Sequence, residues 1–408
     1  MKLLFLGSLF CNELLAEIKN GMDDVYFQNA PNVFQWSFVN GLVENNILFD
    51  IISAPTLPCW PFRYKYTYVN HHKFQIHNNI EGESIKYCTI AGIKEMSVFF
   101  NAKSAISKWA EKYKHEDKYI IIYSTDPSLM YAASRIKKKY KNIKIGVIVT
   151  ELPDYASHII NVKPISKFVQ AKMILKGVKS LYKFIDFYVL LSEFMKEKIP
   201  MNNIPYCILE GLYSKSEDVE SSGKFQNPTV LYTGTLQRFA SIDVLIRAFR
   251  LLNDPSYRLI ICGTGQLSEY VKSSAQEDNR ISFKGLVSRQ EALLLQRKST
   301  LLVNPRQPNA GLTKYTFPSK TMEYMASGTP VLMYKLEGVP NEYFNYCYTL
   351  EDLSDERLSS SMQTFLSKTD DELSRKGLKA KDFIINNKSA KSQTRKILNL
   401  MELLNIKK

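Results

Sequence analysis

The chain has 408 residues, more than a single hydrophobic core usually holds together, so its length predicts two or three domains. Its 45% hydrophobic and 23% charged residues are ordinary for a soluble globular protein, and no apolar run reaches the ~18 residues that a membrane-spanning helix needs. The formal net charge of +14 indicates an acidic partner or surface, for which nucleic acid, an anionic membrane and a phosphorylated substrate all qualify.

The first ten residues, MKLLFLGSLF, have the hydrophobicity of a signal peptide, but they are short and lack a small-residue cleavage site. We therefore interpret residues 3–6 as a buried first strand. The six cysteines are scattered without a C-x-x-C pair, which predicts neither a zinc site nor a disulfide framework and fits a reducing cytoplasm.

Apolar runs alternate with helical patterns through the first half of the chain. This alternation predicts parallel β-α-β units and an α/β fold. Strands are expected at residues 3–6, 49–52, 119–123, 145–149 and 187–191, and helices at 12–20, 33–44, 103–113 and 128–140. Ligands bind outside the carboxyl ends of strands in such sheets, so Glu151 and Asp154, which follow the strand at 145–149, are candidate site residues or solvated loop carboxylates.

Two segments of this half depart from the pattern. Residues 55–77 are rich in proline and aromatic side chains, which predicts a long structured loop that either binds a ligand or covers its own domain. Residues 163–183 carry lysines at helical spacing beside an apolar stripe, a pattern typical of a helix lying on an anionic membrane or packed on its own domain. These lysines are Lys172, Lys176, Lys179 and Lys183.

Residues 214–228, SKSEDVESSGKFQNP, are polar and without apolar periodicity, which predicts a linker. A second α/β series follows, with strands at 229–232, 257–262, 281–283 and 300–303. The turn Gly263-Thr264-Gly265 lacks the third glycine of a dinucleotide fingerprint, and tight turn geometry explains it.

The most informative stretch is FPSKTMEYMASGTPVL, residues 317–332. Pro318 directs the chain into a turn, Ser319 is a candidate cap, and a short helix should run from Lys320 to a left-handed Gly328. A helix N-terminus beside a lysine favours an anion, and Glu323 one turn later could accept from a pair of sugar hydroxyls. The alternative is a capped surface helix with solvated charges.

Several catalytic motifs are missing from the sequence: a Walker loop, H-E-x-x-H, G-x-S-x-G, the kinase motifs and Asp-x-Asp. Four stretches together resemble the retaining, family-4 type glycosyltransferases of the two-domain GT-B fold, especially those of surface and capsular polysaccharide synthesis. They are YTGTLQRFASIDVLIRAF, RLIICGTGQLSEYV, RISFKGLVSRQEALLLQRKSTLLVNPR and FPSKTMEYMASGTPVL. The resemblance is specific from Thr229 to Val339.

The resemblance implies two Rossmann-like domains with a C-terminal helix that crosses back: 1–213 for the acceptor, 214–228 as linker, 229–387 for the nucleotide sugar and 388–408 as the returning helix. It implies that Glu323, the second Glu of an E-x7-E motif, contacts the ribose, and that Lys320 and Arg238 face the diphosphate. Catalytic roles are expected for Lys320, Arg238 and Glu151. Donor contacts are expected for Glu323, Gly234, Thr235, Gly263, Gly285, Leu286, Val287, Arg306, Tyr315 and Ser319.

Three departures from the family pattern concern donor recognition. The first Glu of the motif falls at Tyr315, the usual Arg and Lys after the first strand of this domain are Thr235 and Ala240, and the His often found after the N-domain strand is Glu151. We read these differences as variation, and they leave the identity of the donor sugar open.

The sequence therefore predicts a retaining, metal-independent hexosyltransferase without a cofactor. It would move a sugar from a nucleotide-diphosphate donor, most simply a UDP-sugar, to a lipid-linked saccharide at the inner face of the cell membrane. A non-catalytic subunit of the same fold and a sugar-nucleotide epimerase remain the alternatives. Nucleic acid is not expected as a partner because no base-reading motif is present.

Overall fold

The structure, a computed structural model, describes residues 1–22, 29–77, 80–152, 177–214, 223–308, 313–368 and 370–406. It divides into two compact units. Unit 1 comprises Met1–Leu212 and Gln393–Lys408, and unit 2 comprises Tyr213–Ser392. Each unit is built around its own mostly parallel sheet flanked by helices, which confirms the predicted α/β class with two Rossmann-like domains.

The strands of unit 1 are β1 (Lys2–Gly7), β2 (Phe49–Ser53), β3 (Tyr68–Val69), β4 (His72–His77), β5 (Ile80–Ser84), β6 (Tyr87–Cys88), β7 (Lys118–Tyr123), β8 (Ile143–Val149), β9 (Phe187–Leu190) and β10 (Tyr206–Ile208). The described residues form an eight-stranded sheet in the order β10-β9-β8-β7-β1-β2-β5-β4. Its pairs are parallel except for β4 with β5. Strand β1 lies mid-sheet, where both faces are covered, so its near-continuous apolar run is buried.

The helices of unit 1 lie on both faces of this sheet and include Asn12–Gly21, Asn29–Glu44, Lys94–Lys112 and Pro127–Lys139. The last helix starts where the sequence dictates, because the Asp126 carboxylate accepts from the backbone N–H groups of Ser128 and Leu129 at 2.9 and 3.0 Å and Pro127 occupies the first turn.

Two predictions about unit 1 are corrected, and one further strand was not predicted. The helix expected from residue 103 begins at Lys94. The end of the expected loop, residues 72–77, is strand β4, which is held against β5 because the Phe74 ring covers the space over Gly82. Strand β10 was not anticipated; its three residues pair with β9 at the sheet edge, where tertiary pairing outweighs a weak local pattern.

The strands of unit 2 are β11 (Thr229–Thr233), β12 (Arg258–Cys262), β13 (Ile281–Gly285), β14 (Leu301–Asn304), β15 (Val331–Tyr334) and β16 (Tyr348–Leu350). They form a parallel sheet in the order β13-β12-β11-β14-β15-β16 within the described residues. The crossover helices are Ile242–Arg250, Ser268–Glu277, Arg289–Lys298 and Ser319–Ala326, and further helices are Asn341–Phe344, Asp355–Leu366 and Asp370–Asn387. The order reverses between β11 and β14, the switch point at which such sheets bind ligands.

The C-terminal helix Ala390–Ile406 begins in unit 2 and continues into unit 1. In unit 1 the Tyr119 hydroxyl donates to the Met401 carbonyl at 3.0 Å and contacts Asn405 Oδ1 at 2.6 Å, while Gln393 Nε2 donates to the Gly211 carbonyl at 3.0 Å. These contacts place the helix against the N-terminal unit, as predicted for a returning helix.

Two predicted segments lie largely outside the described residues: the basic helix, of which residues 163–176 are not covered, and the linker, of which 215–222 are not covered. The described end of the linker packs on unit 2, since Lys224 Nζ donates to the Ser299 carbonyl at 2.8 Å. In the part of the chain that the structure describes, no helix combines the length and hydropathy of a membrane span.

Candidate functional site

The helix Ser319–Ala326 follows strand β14, which lies beside β11 at the switch point of the sheet. This helix carries the candidate residues Lys320 and Glu323. Its N-cap is Pro318, and no side chain caps it, because Ser319 is already the first helical residue and is exposed. The expected capping role of Ser319 is therefore wrong: the X-Pro turn places the serine one position too far along. The expected C-terminus is confirmed, with Gly328 at φ +82°, a conformation that glycine adopts without strain.

Glu323 is the centre of a charged cluster within unit 2. Its Oε1 accepts from Lys320 Nζ at 2.9 Å and from Gln296 Nε2 at 2.6 Å, and its Oε2 accepts from Arg289 Nη1 at 3.1 Å. The side chain is only 14% exposed. A carboxylate offers about four acceptor positions, so Oε2 retains room for one further donor, such as a hydroxyl.

The charge state of Glu323 follows from these contacts. Burial alone would raise its pKa, but the positive charges of Lys320 and Arg289, with hydrogen bonds from Lys320 and Gln296, outweigh burial and lower the pKa to about 2. Glu323 is thus ionised at neutral pH and is held in one orientation before any ligand arrives.

The cluster is anchored to the core strand β11. Gln296 Nε2, fully buried, also donates to Thr233 Oγ1 at 3.0 Å, and the Tyr324 hydroxyl accepts from the Thr233 backbone N–H at 2.7 Å while donating to the Thr233 carbonyl at 3.0 Å. A buried tyrosine thus ties the helix Ser319–Ala326 to the end of β11. Because the Tyr324 hydroxyl both accepts from and donates to the Thr233 backbone, the helix has one defined position relative to the strand.

Glycine turns end the three adjacent strands β11, β12 and β13. The Gly234 N–H donates to the Cys262 carbonyl at 3.0 Å, and the Gly263 N–H donates to the Gly285 carbonyl at 2.7 Å. Gly263 has φ +142°, and a Cβ on it would lie 1.8 Å from the Gly234 carbonyl oxygen. A side chain at Gly263 is therefore excluded, and glycine at this position lets the turns after β11 and β12 pack directly against each other.

Basic side chains surround this edge. Arg238 is exposed on the short 3₁₀ helix Arg238–Ala240, and Lys320 is half-buried and bound to Glu323. Arg306 follows β14; its guanidinium donates to Thr316 Oγ1 at 3.1 Å and lies over the Phe239 ring, and burial lowers its pKa. The structure thus brings Arg238, Arg306 and Lys320 to the carboxyl edge of one sheet.

The remaining predicted residues are distributed around the same edge, with one exception. Leu286 is 74% exposed and Val287 half-buried in the turn after β13, and Tyr315 is buried with Lys314 Nζ over its ring. Thr235 is exposed after β11. The exception is Glu151, which belongs to unit 1 and is exposed after β8. Burial raises the pKa of the Tyr123 phenol, and the negative charge of Glu151 raises it further.

Two contacts of Glu323, Arg289 and Gln296, were not predicted. They lie seven residues apart on the helix Arg289–Lys298, which places both on one face. A capping signal was also present, because the Ser288 hydroxyl accepts from the Glu291 backbone N–H at 3.1 Å in the S-x-x-E pattern. The spacing marks a face, but the sequence contains no signal that pairs this face with Glu323.

Unit 1 has a separate cleft of about 470 Å³ beside the end of the helix Asn12–Gly21. Glu17 lines this cleft. Its Oε1 accepts from the Asn70 backbone N–H at 3.2 Å, and its Oε2 lies 2.7 Å from His72 Nε2. Tyr66 and Tyr68 expose their rings along the same cleft. Its lining of aromatic faces, a carboxylate and amides is suited to a polyhydroxylated ligand.

Comparison with known proteins agrees with this geometry. The family model described as glycosyl transferases group 1 matches residues 227–366. This segment of the chain is similar to the glycosyltransferase group 1 domains that the model describes. It contains the whole Glu323 cluster and the glycine turns. No curated protein sequence matches the chain.

Solved structures resemble the chain over both units. Sucrose-phosphate synthase from Thermosynechococcus elongatus has 13% identity and a TM-score of 0.66, with 100% of each chain covered. HepE from Anabaena in complex with UDP has 12% identity and a TM-score of 0.59, covering 98% of this chain and 100% of its own. TarM has 13% identity and a TM-score of 0.61, covering 98% of each chain. These likenesses confirm the GT-B fold.

Proposed function

We propose that this protein is a retaining glycosyltransferase that moves a sugar from a nucleotide-diphosphate donor to a lipid-linked saccharide. The observation that carries the proposal is the ionised Glu323, held by three donors at the carboxyl edge of a glycosyltransferase group 1 domain. A carboxylate fixed in this way can accept from a ribose hydroxyl without reorganising, which favours donor binding.

The leaving diphosphate is the second element of the proposal. Negative charge develops on it as the glycosidic bond breaks, and catalysis rests on groups already placed to receive that charge. Lys320 and Arg238 carry positive charge at the same edge of the sheet as the Gly234, Gly263 and Gly285 turns, so both side chains can receive the charge of the diphosphate. We propose that this arrangement works without a metal ion, and EDTA should then leave turnover unchanged.

A uridine nucleotide is the donor that we propose, because the fold neighbour HepE binds UDP. The saccharide acceptor is assigned to the unit 1 cleft beside Glu17, where the exposed Tyr66 and Tyr68 rings can stack on the apolar faces of sugar rings. The lipid portion of such an acceptor requires the enzyme to work at a cytoplasmic membrane surface, and the charge of +14 favours an anionic one.

A thermal-shift screen with UDP-, GDP- and dTDP-sugars tests the donor assignment, since a ligand that binds only the folded chain raises its melting temperature. The expected result is a rise with UDP-sugars that is lost in Glu323→Ala. Release of UDP should then require a lipid-linked saccharide, and the product should retain the anomeric configuration of the donor. If the chain binds every donor but transfers no sugar, the proposed catalysis is contradicted. If it releases the nucleotide when no saccharide acceptor is present, the proposed transfer to an acceptor is contradicted.

The helix predicted from the basic pattern of residues 163–183 provides a test of membrane association. Reversing Lys172, Lys176, Lys179 and Lys183 to Glu should abolish binding to anionic liposomes at low salt and leave the melting shift with nucleotide unchanged, because each lysine near an anionic bilayer contributes ~1 kcal/mol. Liposome binding that survives the reversal would show that this helix is not the attachment site.

A further inference from the structure

An apolar surface is exposed on unit 1. Phe62 is 80% exposed, Met96 60%, Phe100 56% and Ile93 51%. Trp60 and Tyr131 are exposed beside them. Large apolar side chains scattered singly on a surface are ordinary, but a contiguous group indicates an interaction. We call these six residues the apolar face.

The backbone brings these residues together. The turn that carries Trp60 and Phe62 is held against the start of the helix Lys94–Lys112, because the Trp60 N–H donates to the Thr89 carbonyl at 3.0 Å and Trp60 forms a parallel bridge with Ile90. The helix then continues from Ile90, whose carbonyl accepts from the Lys94 N–H at 3.0 Å. Ring contacts extend the surface, with Phe99 centred 4.9 Å from both Phe100 and Tyr131.

The helix Lys94–Lys112 is apolar on two opposite faces. Its inner face buries Val98, Ala102, Ile106 and Trp109 against the sheet, which satisfies the needs of folding. Ile93, Met96 and Phe100 recur at intervals of three and four residues on the opposite, outer face. Within the part of the chain that the structure describes, the side chains of this outer stripe remain more than half exposed.

The charges around the apolar face identify its partner. On the outer side of the helix the residue after Phe100 at the same spacing is Lys103, and no carboxylate lies on that side between Ile93 and Ser107. Arg63 and Arg135 border the face, with Arg135 centred 6.0 Å from the Tyr131 ring. Two acids lie on the same helix: Glu95 is exposed in the first turn, at a helical position of the inner face, and Glu111, five turns after Ile93, accepts from the Tyr140 hydroxyl.

We propose that the apolar face inserts into the interfacial region of an anionic lipid bilayer and anchors unit 1 to the membrane. Apolar and aromatic side chains bordered by Lys and Arg match the layered chemistry of acyl chains and anionic headgroups. Phe62 and Tyr66 are four residues apart, so the chain places the apolar face within about 14 Å of the saccharide cleft. A lipid-linked saccharide bound with its lipid in the bilayer can therefore reach the cleft.

The inference rests on the proposed function for its biological use, but its test is independent of catalysis. Trp36 donates to the Phe10 carbonyl at 3.2 Å inside unit 1, and Trp109 is buried, whereas Trp60 is exposed within the apolar face. Tryptophan fluorescence of the full chain therefore reports on this surface. With vesicles of phosphatidylcholine and phosphatidylglycerol, emission should shift to shorter wavelength, and lipids brominated in the acyl chain should quench it. Trp60→Phe should abolish both changes.

The combined variant Phe62→Ser, Met96→Ser, Phe100→Ser should lower the partition coefficient onto these vesicles at least tenfold. A matched control, Leu251→Ser, Leu353→Ser, Leu378→Ser, removes exposed leucines of unit 2 and should bind vesicles as the unaltered chain does. Both variants should keep the melting temperature and the shift with UDP-sugar, because none of these residues packs in the core. Vesicles of phosphatidylcholine alone should bind the unaltered chain at least tenfold more weakly.

Unchanged partitioning of the apolar-face variant, equal loss in the control, or no vesicle binding by the unaltered chain would each overturn the inference. A further outcome would also overturn it. If the unaltered chain is a dimer in sedimentation equilibrium, and the apolar-face variant is a monomer that still binds vesicles, then the face binds a second copy of the chain. If UDP-sugar does not raise the melting temperature of the unaltered chain, the proposed function is contradicted, and the result with vesicles still stands.

Discussion

Replacing Glu323 by Gln removes one charge from the cluster and keeps the size of the side chain. Its pKa of about 2, against an ordinary 4.5, means that the folded state favours the carboxylate by about 3.5 kcal/mol, at about 1.4 kcal/mol for each pH unit. Gln cannot accept from Arg289 through its amide nitrogen, and it leaves two cations without a counter-charge. We expect Glu323→Gln to lower the free energy of unfolding of unit 2 by about 2–3 kcal/mol at pH 7.

The same reasoning predicts how this loss depends on pH. Because the folded pKa is depressed, the stabilisation by Glu323 is fully present above 4.5 and disappears as the pH falls through about 2. The difference between the unaltered chain and Glu323→Gln should therefore shrink by about half at pH 3, relative to its value at pH 7.

Urea titrations at both pH values, each followed by pulsed hydrogen exchange of the peptide Ser319–Ala326, separate the unfolding of unit 2 from that of unit 1. Glu291→Gln is the matched control, since Glu291 is exposed on the neighbouring helix and should change stability by less than about 0.5 kcal/mol. An equal loss for Glu323→Gln at pH 7 and pH 3, or a loss no larger than the control, would refute the assigned charge state.

The remaining predictions concern catalysis and the glycine turns. Lys320→Ala and Arg238→Ala should lower kcat more than they weaken donor binding, because their charges act on the leaving diphosphate; near-normal turnover in both would place the phosphate site elsewhere. Arg289→Ala should weaken UDP-sugar binding about tenfold in calorimetry, by freeing the orientation of Glu323, and undiminished affinity would mean that Lys320 and Gln296 suffice. Gly263→Ala should destabilise unit 2 by more than about 3 kcal/mol in thermal melts, whereas Gly285→Ala, at φ +65° in open space, should cost about 1–2 kcal/mol; equal effects would rule out the clash.

Local signals explain which elements could be predicted. The helix Pro127–Lys139 was expected within one residue at each end because Asp126 and Pro127 act on neighbouring backbone groups. The end of the helix at Gly328 was expected because only glycine takes its φ of +82° readily. By contrast, Ser319 was misassigned as a cap because serine and proline compete for the same position, and the proline determines where the helix begins.

Elements whose stability depends on distant residues could not be placed. Strand β4 was read as loop because its alternation is weak, and it exists because β5 offers a hydrogen-bonding edge and Gly82 leaves room for the Phe74 ring. Strands β10 and β16 are three residues long and are held by their neighbours in the sheet. A short apolar run carries no local information about such a partner.

The candidate site divides in the same way. The sequence by itself determined that Glu323 and Lys320 lie one turn apart on a short helix that begins after a proline, because helical periodicity needs only local spacing. Only the tertiary structure decided that Arg289 and Gln296 complete the cluster. They lie 34 and 27 residues away along the chain, and the strand order of the sheet carries their helix to Glu323. The low pKa of Glu323 has both origins. Burial raises this pKa, Lys320 lowers it from one turn away on the same helix, and Arg289 and Gln296 lower it because the fold brings their helix within about 3 Å of the carboxylate.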